Sequence, residues 1–592
     1  MLTRPPFCRF SLLRPLAPVP LAIATLLMGQ PAWGQDPSVP LDPALAPLSL
    51  GHGDPASTPA LETPAPDPII STAGDGGTSI PGPELTPLAQ TVTAVTIQDI
   101  QVQGSTVFSE DTLEAIVAPF EGKTLSPEEI QSITDAVTQL YLNNGYFTSR
   151  AQVGNQTIDD SGILVIEITE GQADIVVEWL TEKHFLQESY IRDRLPSIHP
   201  LNTLKLEDEL KLLRVDPLLD TIEARLKRGN GEQPDVLTVQ VREAPNFHGS
   251  FNADNYSPPS IGGERFSLNL AARNLSGRGD QLSATYRTTV TGGLHSLDTF
   301  YAVPLNAKNG TLSLQGTWDF TKITQPPFDV LEITGDRQRY ALNFRQPIWR
   351  TPKEEFSVSA AFVYTEGQTF VFGDIPTPFG LGADKNGISR TSVLRFSQEY
   401  IRRDRQGAWV ARWTESFGTH LFDATDNPAP IPDGQFFSWL GQAQRLQSLN
   451  RNNLLIIQGD LQLTPHSLLS SEQFVIGGAQ SIRGYRQNAL VGDNGFRFSV
   501  ENRTTLKRNS EGEGNLILMS FLEAGAVLNA KNNPSSISSN QTVLAGLGLG
   551  VIWKPIPNLD LRLDYGLPLI GWDQEGDNAQ DHGIYFNAGY AF

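Results

Sequence analysis

Two periodicities divide this chain. Between residues 96 and 245, short alternating runs are mixed with 3–4-spaced apolar stripes. Ile97, Ile100, Val102 and Val107 surround Gly104, which predicts a strand and a turn. A short helix is expected over Glu110 to Ala118. Ser126-Pro127-Glu128-Glu129 then combines an N-cap serine, a proline at the first helical position and a capping-box glutamate. Ile130, Ile133, Val137, Leu140 and Tyr141 follow as one buried stripe, which Gly145 ends. Strands are expected over Phe147 to Val153 and Ile163 to Ile168. The same β-α-α-β-β order then recurs. Ile175, Val177 and Trp179 alternate, helices are expected over Gln187 to Leu195 and around Leu206, Leu210 and Leu213, and two strands close the unit. Two units of one topology make a structural repeat.

From about residue 246 the helical period is gone. Phe266, Leu268 and Leu270 alternate with Ser267 and Asn269, and Leu312, Leu314, Trp318 and Phe320 oppose Ser313, Gln315, Thr317 and Asp319. Alternation continues through Ile584, Phe586, Ala588 and Tyr590 to the last residue, Phe592. A soluble sandwich would alternate in the same way with its polar face outward. A membrane barrel inverts this, with lipid outside and water within. At about 20 residues per strand and its share of turns, residues 246–592 fit roughly 16 strands. Tight turns such as Asn306 to Gly310 suggest the inner side. Longer polar stretches suggest outer loops, among them Thr321 to Asp336, Glu366 to Ser389, Asp423 to Gly434, Ala530 to Asn540 and Asp573 to Gly583.

The N-terminus favours the barrel. Arg4, Arg9 and Arg14 precede a short apolar stretch and the small residues Ala32 and Gly34, so residues 1–34 are expected to be a cleaved secretory signal. The single cysteine, Cys8, lies within it, so the mature chain would carry no disulfide and no thiolate chemistry. Residues 35–95 are rich in proline and lack Lys and Arg, and are expected to be a disordered linker. The formal net charge of −21 argues against a nucleic-acid partner, whose phosphates need a basic face.

Enzyme signatures are sparse. The eight histidines are scattered without metal-ligand spacing, and no nucleophile elbow appears, so neither catalysis nor a cofactor or metal is expected. Gly546-Leu547-Gly548-Leu549-Gly550 sits in an all-β region with no helix after it, and is taken as a strand of low side-chain bulk rather than a dinucleotide loop. One constellation stands out. Gly477-Gly478-Ala479-Gln480-Ser481-Ile482-Arg483-Gly484-Tyr485 lies in a long segment, 470–495, between strands. Its glycines permit sharp turns, and its guanidinium offers a planar fork to a carboxylate. Phe521, Glu523 and Gly525 share one strand face, and a carboxylate there must face the lumen. An Arg483–Glu523 pair would clamp the loop inside the barrel. Two ordinary lumen-lining charges would present the same residue types.

Ile482-Arg483-Gly484-Tyr485 resembles the V-R-G-[YF] loop signature of the outer-membrane insertase superfamily, and Phe521-x-Glu523-x-Gly525 resembles its F-x-D-x-G wall motif, with Glu in place of Asp. Tyr141 to Arg150 and Gly162 to Gly171 are similar to the first POTRA domain of TpsB-type two-partner secretion transporters. Asn274 to Asp280 and Tyr301 to Leu305 are similar to their early barrel strands. The resemblance implies POTRA domains at 96–171 and 172–245, an α+β pair, followed by an all-β, 16-stranded outer-membrane barrel over 246–592. It implies secretion of a large TpsA-like partner without ATP, with an insertase as the alternative and a porin behind it. It also implies client contacts at Tyr146, Thr148 and Arg150, and a barrel-assembly signal at Tyr590 and Phe592 that engages the assembly machinery. Outer-membrane lipid would surround the wall, with the POTRA domains in the periplasm. Members of this family often carry an N-terminal plug helix, for which residues 35–95 are too proline-rich.

Overall fold

The computed structural model describes residues 70–72 and 94–592, apart from 160, 197–198, 228–234, 511, 532, 535–541 and 572–575. The predicted signal segment 1–34 and most of the predicted linker therefore lie outside the described residues.

The first repeat holds β2 (Val95–Ile97), β3 (Asp99–Gln103), α1 (Glu110–Val117), β4 (Lys123–Leu125), α2 (Pro127–Asn143), β5 (Arg150–Val153) and β6 (Ile163–Thr169). Its sheet runs β3-β6-β5, parallel then antiparallel, and β2 pairs with β4. The capping box forms as the sequence requires, with Ser126 N–H donating to Glu129 at 2.7 Å and Glu129 N–H to Ser126 Oγ at 3.2 Å. The stripe residues Ile133, Val137 and Tyr141 are fully buried against Ile100, Leu164 and Ile166. Each such side chain contributes about 1.5–3 kcal/mol of burial. The strand expected to start at Phe147 starts at Arg150 instead, because Ser149 N–H bonds back to Tyr146 O and makes a turn of 146–149.

The second repeat holds β7 (Ala173–Trp179), α3 (Glu188–Arg192), α4 (Thr203–Arg214), β8 (Leu219–Lys227) and β9 (Asp235–Glu243). Its sheet order is β1-β8-β9-β7, where β1 is Ile70–Thr72. The expectation of a disordered linker over 35–95 is corrected at residues 70–72. Ile70, Ser71 and Thr72 pair in parallel with Ala224, Arg225 and Leu226. The edge of β8 offers unpaired backbone groups, and this proline-free triplet can meet them.

Sixteen antiparallel strands then close into a barrel, the first (Phe247–Asp254) pairing with the last (Ile584–Ala591). A two-residue strand, Ile375–Pro376, rides on an outer connection. Side chains pointing outward are apolar and exposed, among them Leu268, Tyr286, Trp318, Phe396 and Leu549. Buried polar groups face the lumen, including Arg339, Glu399, Gln444 and Asp460. This inversion excludes the sandwich. Strands run further into the expected outer loops than the polar composition suggested: one wall strand starts at Thr334, another ends at Val371 and the next starts at Ile388. No helix among the described residues is long and apolar enough to cross a membrane.

Candidate functional site

The segment 470–495 folds inward as a hairpin, with Phe474–Ile476 paired to Leu490–Gly492. Gly477, Gly478 and Gly484 have φ of +109°, +99° and +104°. An L side chain is strained at these angles, so the tip is built where glycine is required. Ile476, Ile482, Tyr485 and Leu490 form a small apolar core with Val527 and Leu544 of the wall.

Arg483 is the centre of the site, and 2% of its surface is exposed. Its Nε donates to Glu523 Oε1 at 3.0 Å and its backbone N–H to Glu523 Oε2 at 2.7 Å. Nη2 reaches Glu501 at 2.8 Å, and Nη1 reaches Asp564 at 3.3 Å. The guanidinium carbon stands 3.3 Å from the centre of the Phe521 ring, a cation–π contact. Arg503 pairs with Glu501 at 2.8 Å, and Arg562 with Asp564 at 2.8 Å. Three arginines and three carboxylates thus balance.

The wall is shaped for the tip. A Cβ at Gly546 would lie 2.1 Å from Arg483 O, one at Gly566 2.5 Å from Gly484 N, and one at Gly525 2.9 Å from Ile482 Cδ1. The run Gly546-x-Gly548-x-Gly550 is therefore more than a strand of low bulk: its first glycine is part of the seat. Tyr585, on the last strand, accepts from Gly484 N–H at 2.9 Å and donates to Tyr485 O at 2.6 Å. The Tyr485 hydroxyl donates to Ala545 O at 2.8 Å. Arg486 pairs with Asp581, and Gln487 N–H donates to Gln580 Oε1 at 2.8 Å.

The structure thus joins Arg483 to Phe521 and Glu523 and sets Ile482 beside Gly525, whereas Gly484 and Tyr485 meet Tyr585 and Ala545 and the turns at Gly477 and Gly478 close against the loop's own residues 486–489. It adds Glu501, Asp564, Arg503, Arg562 and Tyr585, which the sequence did not single out. Their alternation marked a lumen face but not the height at which they meet Arg483.

The three predicted client contacts divide. Tyr146 is half-buried, packed edge-on against Tyr141 and Phe108. The hydroxyl of Thr148 is buried against Gly171. Arg150 is exposed on β5, at a sheet edge. Nearby, Glu170 accepts from Thr106 N–H at 2.7 Å, Val107 N–H at 3.2 Å and Tyr141 Oη at 2.8 Å. Burial raises its pKa, but these hydrogen bonds outweigh it and hold the carboxyl below its ordinary value. Tyr590 and Phe592 are exposed on the outer face at the chain end. No group of His, Cys, Asp and Glu among the described residues is placed to hold a metal.

Residues 235–552 match the model of the haemolysin secretion/activation protein family ShlB/FhaC/HecB, and residues 95–171 match the ShlB-type POTRA domain. The outer membrane transporter CdiB of Dickeya dadantii is 24% identical over 476 residues, covering 77% of this chain and 81% of that one. The hemolysin transporter protein ShlB of Serratia marcescens is 22% identical over 429 residues, covering 69% and 72%. The solved structure of CdiB from Escherichia coli superposes with a TM-score of 0.67 at 19% identity, covering 86% of this chain and 93% of that one.

Proposed function

The chain belongs to the haemolysin secretion/activation family ShlB/FhaC/HecB, the outer-membrane transporters of two-partner secretion, and on that premise we propose how it moves its client. The client is a large secreted protein of the TpsA type, taken in extended form. It adds a strand to a POTRA sheet edge, where backbone hydrogen bonds give affinity and alternate side chains give selectivity. The β5 edge, with Arg150, carries no strand partner among the described residues. The β8 edge is covered by the chain's own Ile70–Thr72, so a client binding there competes with it.

The client then passes along the polar lumen, and the loop tip must leave its seat for it to do so. No nucleotide takes part, and folding of the client outside draws it through. The clamp around Arg483 carries this proposal, because a buried, charge-balanced contact between an inward-folded loop and the wall suits a gate rather than a static pore. The test compares the culture medium and outer membranes of cells with the chain, without it, and with Arg483→Ala. The expected result is loss of one large secreted protein in both deficient strains, with the variant barrel inserted at normal levels. A general fall in barrel proteins would instead make the chain an insertase. Normal secretion by Arg483→Ala would refute the gate.

A further inference from the structure

We propose that the loop between β7 and α3 of the second POTRA domain, residues 180–187, dips into the periplasmic leaflet of the outer membrane and anchors the domain to lipid.

The loop exposes apolar groups that a water-facing turn has no reason to carry. Phe185 is 70% exposed and Leu180 is 49% exposed. Between them, His184 stacks on Trp179 with ring centres 4.1 Å apart. This presentation is rigid: the N–H groups of Phe185 and Leu186 both donate to Glu243, at 2.6 and 2.8 Å. Leu180 N–H bonds to Val241 O at 2.8 Å.

The same loop is fastened to the rim of the barrel. Gln187 N–H donates to Gly277 O at 2.9 Å, and a Cβ at Gly277 would lie 2.7 Å from Phe185 O. Glu243 also accepts from Asn274 Nδ2 at 2.7 Å. Gly277 and Asn274 belong to the turn joining the strands Arg265–Arg273 and Gln281–Thr289. That turn exposes Leu275, at 57%. The lipid-facing band starts immediately beside it. Leu282, the second residue of the next strand, points outward, as does Phe247 on the neighbouring first strand. Two residues of strand span about 7 Å, which is within the depth of the interfacial layer. Phe185 is thus held at the lip of a surface that already faces acyl chains.

The flanking cations suit the same surface, with the exposed Glu182 and Glu188 offsetting part of their charge. Lys183 and Arg278 are exposed on the two fastened turns. Aromatic and aliphatic tips with cations beside them are the composition of an interfacial anchor on anionic lipid. The committed occupant is phospholipid of the periplasmic leaflet. A loop held there fixes the azimuth of the second POTRA domain beneath the pore.

The test uses the full-length chain in vesicles of phosphatidylethanolamine and phosphatidylglycerol. Cys8 is the single cysteine. After its replacement by Ser, an environment-sensitive dye is placed at Phe185→Cys, Leu180→Cys, the lipid-facing control Leu282→Cys, or the water-facing control Glu128→Cys. Lipid brominated near the top of the acyl chain is the quencher. The expected result is at least half of the emission lost at 185 and 180, as at 282, with little loss at 128. Equal behaviour of 185, 180 and 128 would overturn the proposal. Because residues 180 and 185 contribute no buried side chain, these labels leave folding intact. Correct folding is checked by heat-dependent migration of the barrel.

Discussion

Replacing Arg483 by alanine leaves Glu501, Glu523 and Asp564 facing only Arg503 and Arg562, so one carboxylate loses its counter-charge in a site closed to water. Removing one partner of a buried pair costs about 3–5 kcal/mol. At about 1.4 kcal/mol per decade, the docked population of the loop falls relative to the undocked one by roughly two to three and a half orders of magnitude. The assay is amide hydrogen exchange on the reconstituted barrel. The reporters are the N–H groups of Arg483, bonded to Glu523, and Gly484, bonded to Tyr585. Both should exchange at least tenfold faster in the variant. Arg483→Ala combined with Glu523→Gln restores charge balance and should recover part of the protection. Arg483→Lys keeps the charge but loses the fork, and should fall between wild type and alanine. Unchanged protection in Arg483→Ala, or a double variant no better than the single one, would refute the electrostatic account of the clamp.

Three further outcomes are expected. Gly546→Ala adds a methyl 2.1 Å from Arg483 O, so it should undock the loop and impair secretion without altering any charge; exchange and secretion assays check this together. Asp493 is fully buried and accepts from Leu468 N–H, Ala530 N–H, Gln473 Nε2 and Asn533 Nδ2; Asp493→Ala strands these donors at the loop root and should cost about 3 kcal/mol or more, read as a lower temperature of heat-dependent migration. Glu170 has a depressed carboxyl pKa in the fold, so its stabilisation is present above the ordinary carboxylate value and is lost as pH falls through and below it; exchange around Thr106 and Tyr141 should accelerate on acidification, and Glu170→Gln should remove that dependence.

Helices and strands of the repeats were legible because each carried a local signal: a serine cap, a 3–4 stripe, a period of two. The pairing of Arg483 with Glu523 was legible from residue types and from one motif resemblance. The rest of the cage was not, because Glu501 and Asp564 lie 18 and 81 residues from Arg483 and meet it only through strand register. The seat glycines were hidden for a related reason. A missing side chain shows where bulk is absent, not what fills the space. Ile70–Thr72 escaped notice because three extended residues in a proline-rich stretch have no period of their own; the partner edge of β8 selects them. The aromatic packing of Tyr146 on Tyr141 was not legible either, since a tyrosine near a helix end suits a contact surface as well as it suits that packing.

The balance of three arginines against three carboxylates holds only while the loop is seated. Without the tip the wall is one positive charge short. Every excursion of the loop therefore leaves behind an electrostatic debt that its own return cancels. On the gating proposed above, the loop would need no external supply to return to its seat: the restoring force would be the wall's uncompensated charge. Such a loop would reset itself, and the work of opening would fall on whatever displaces it.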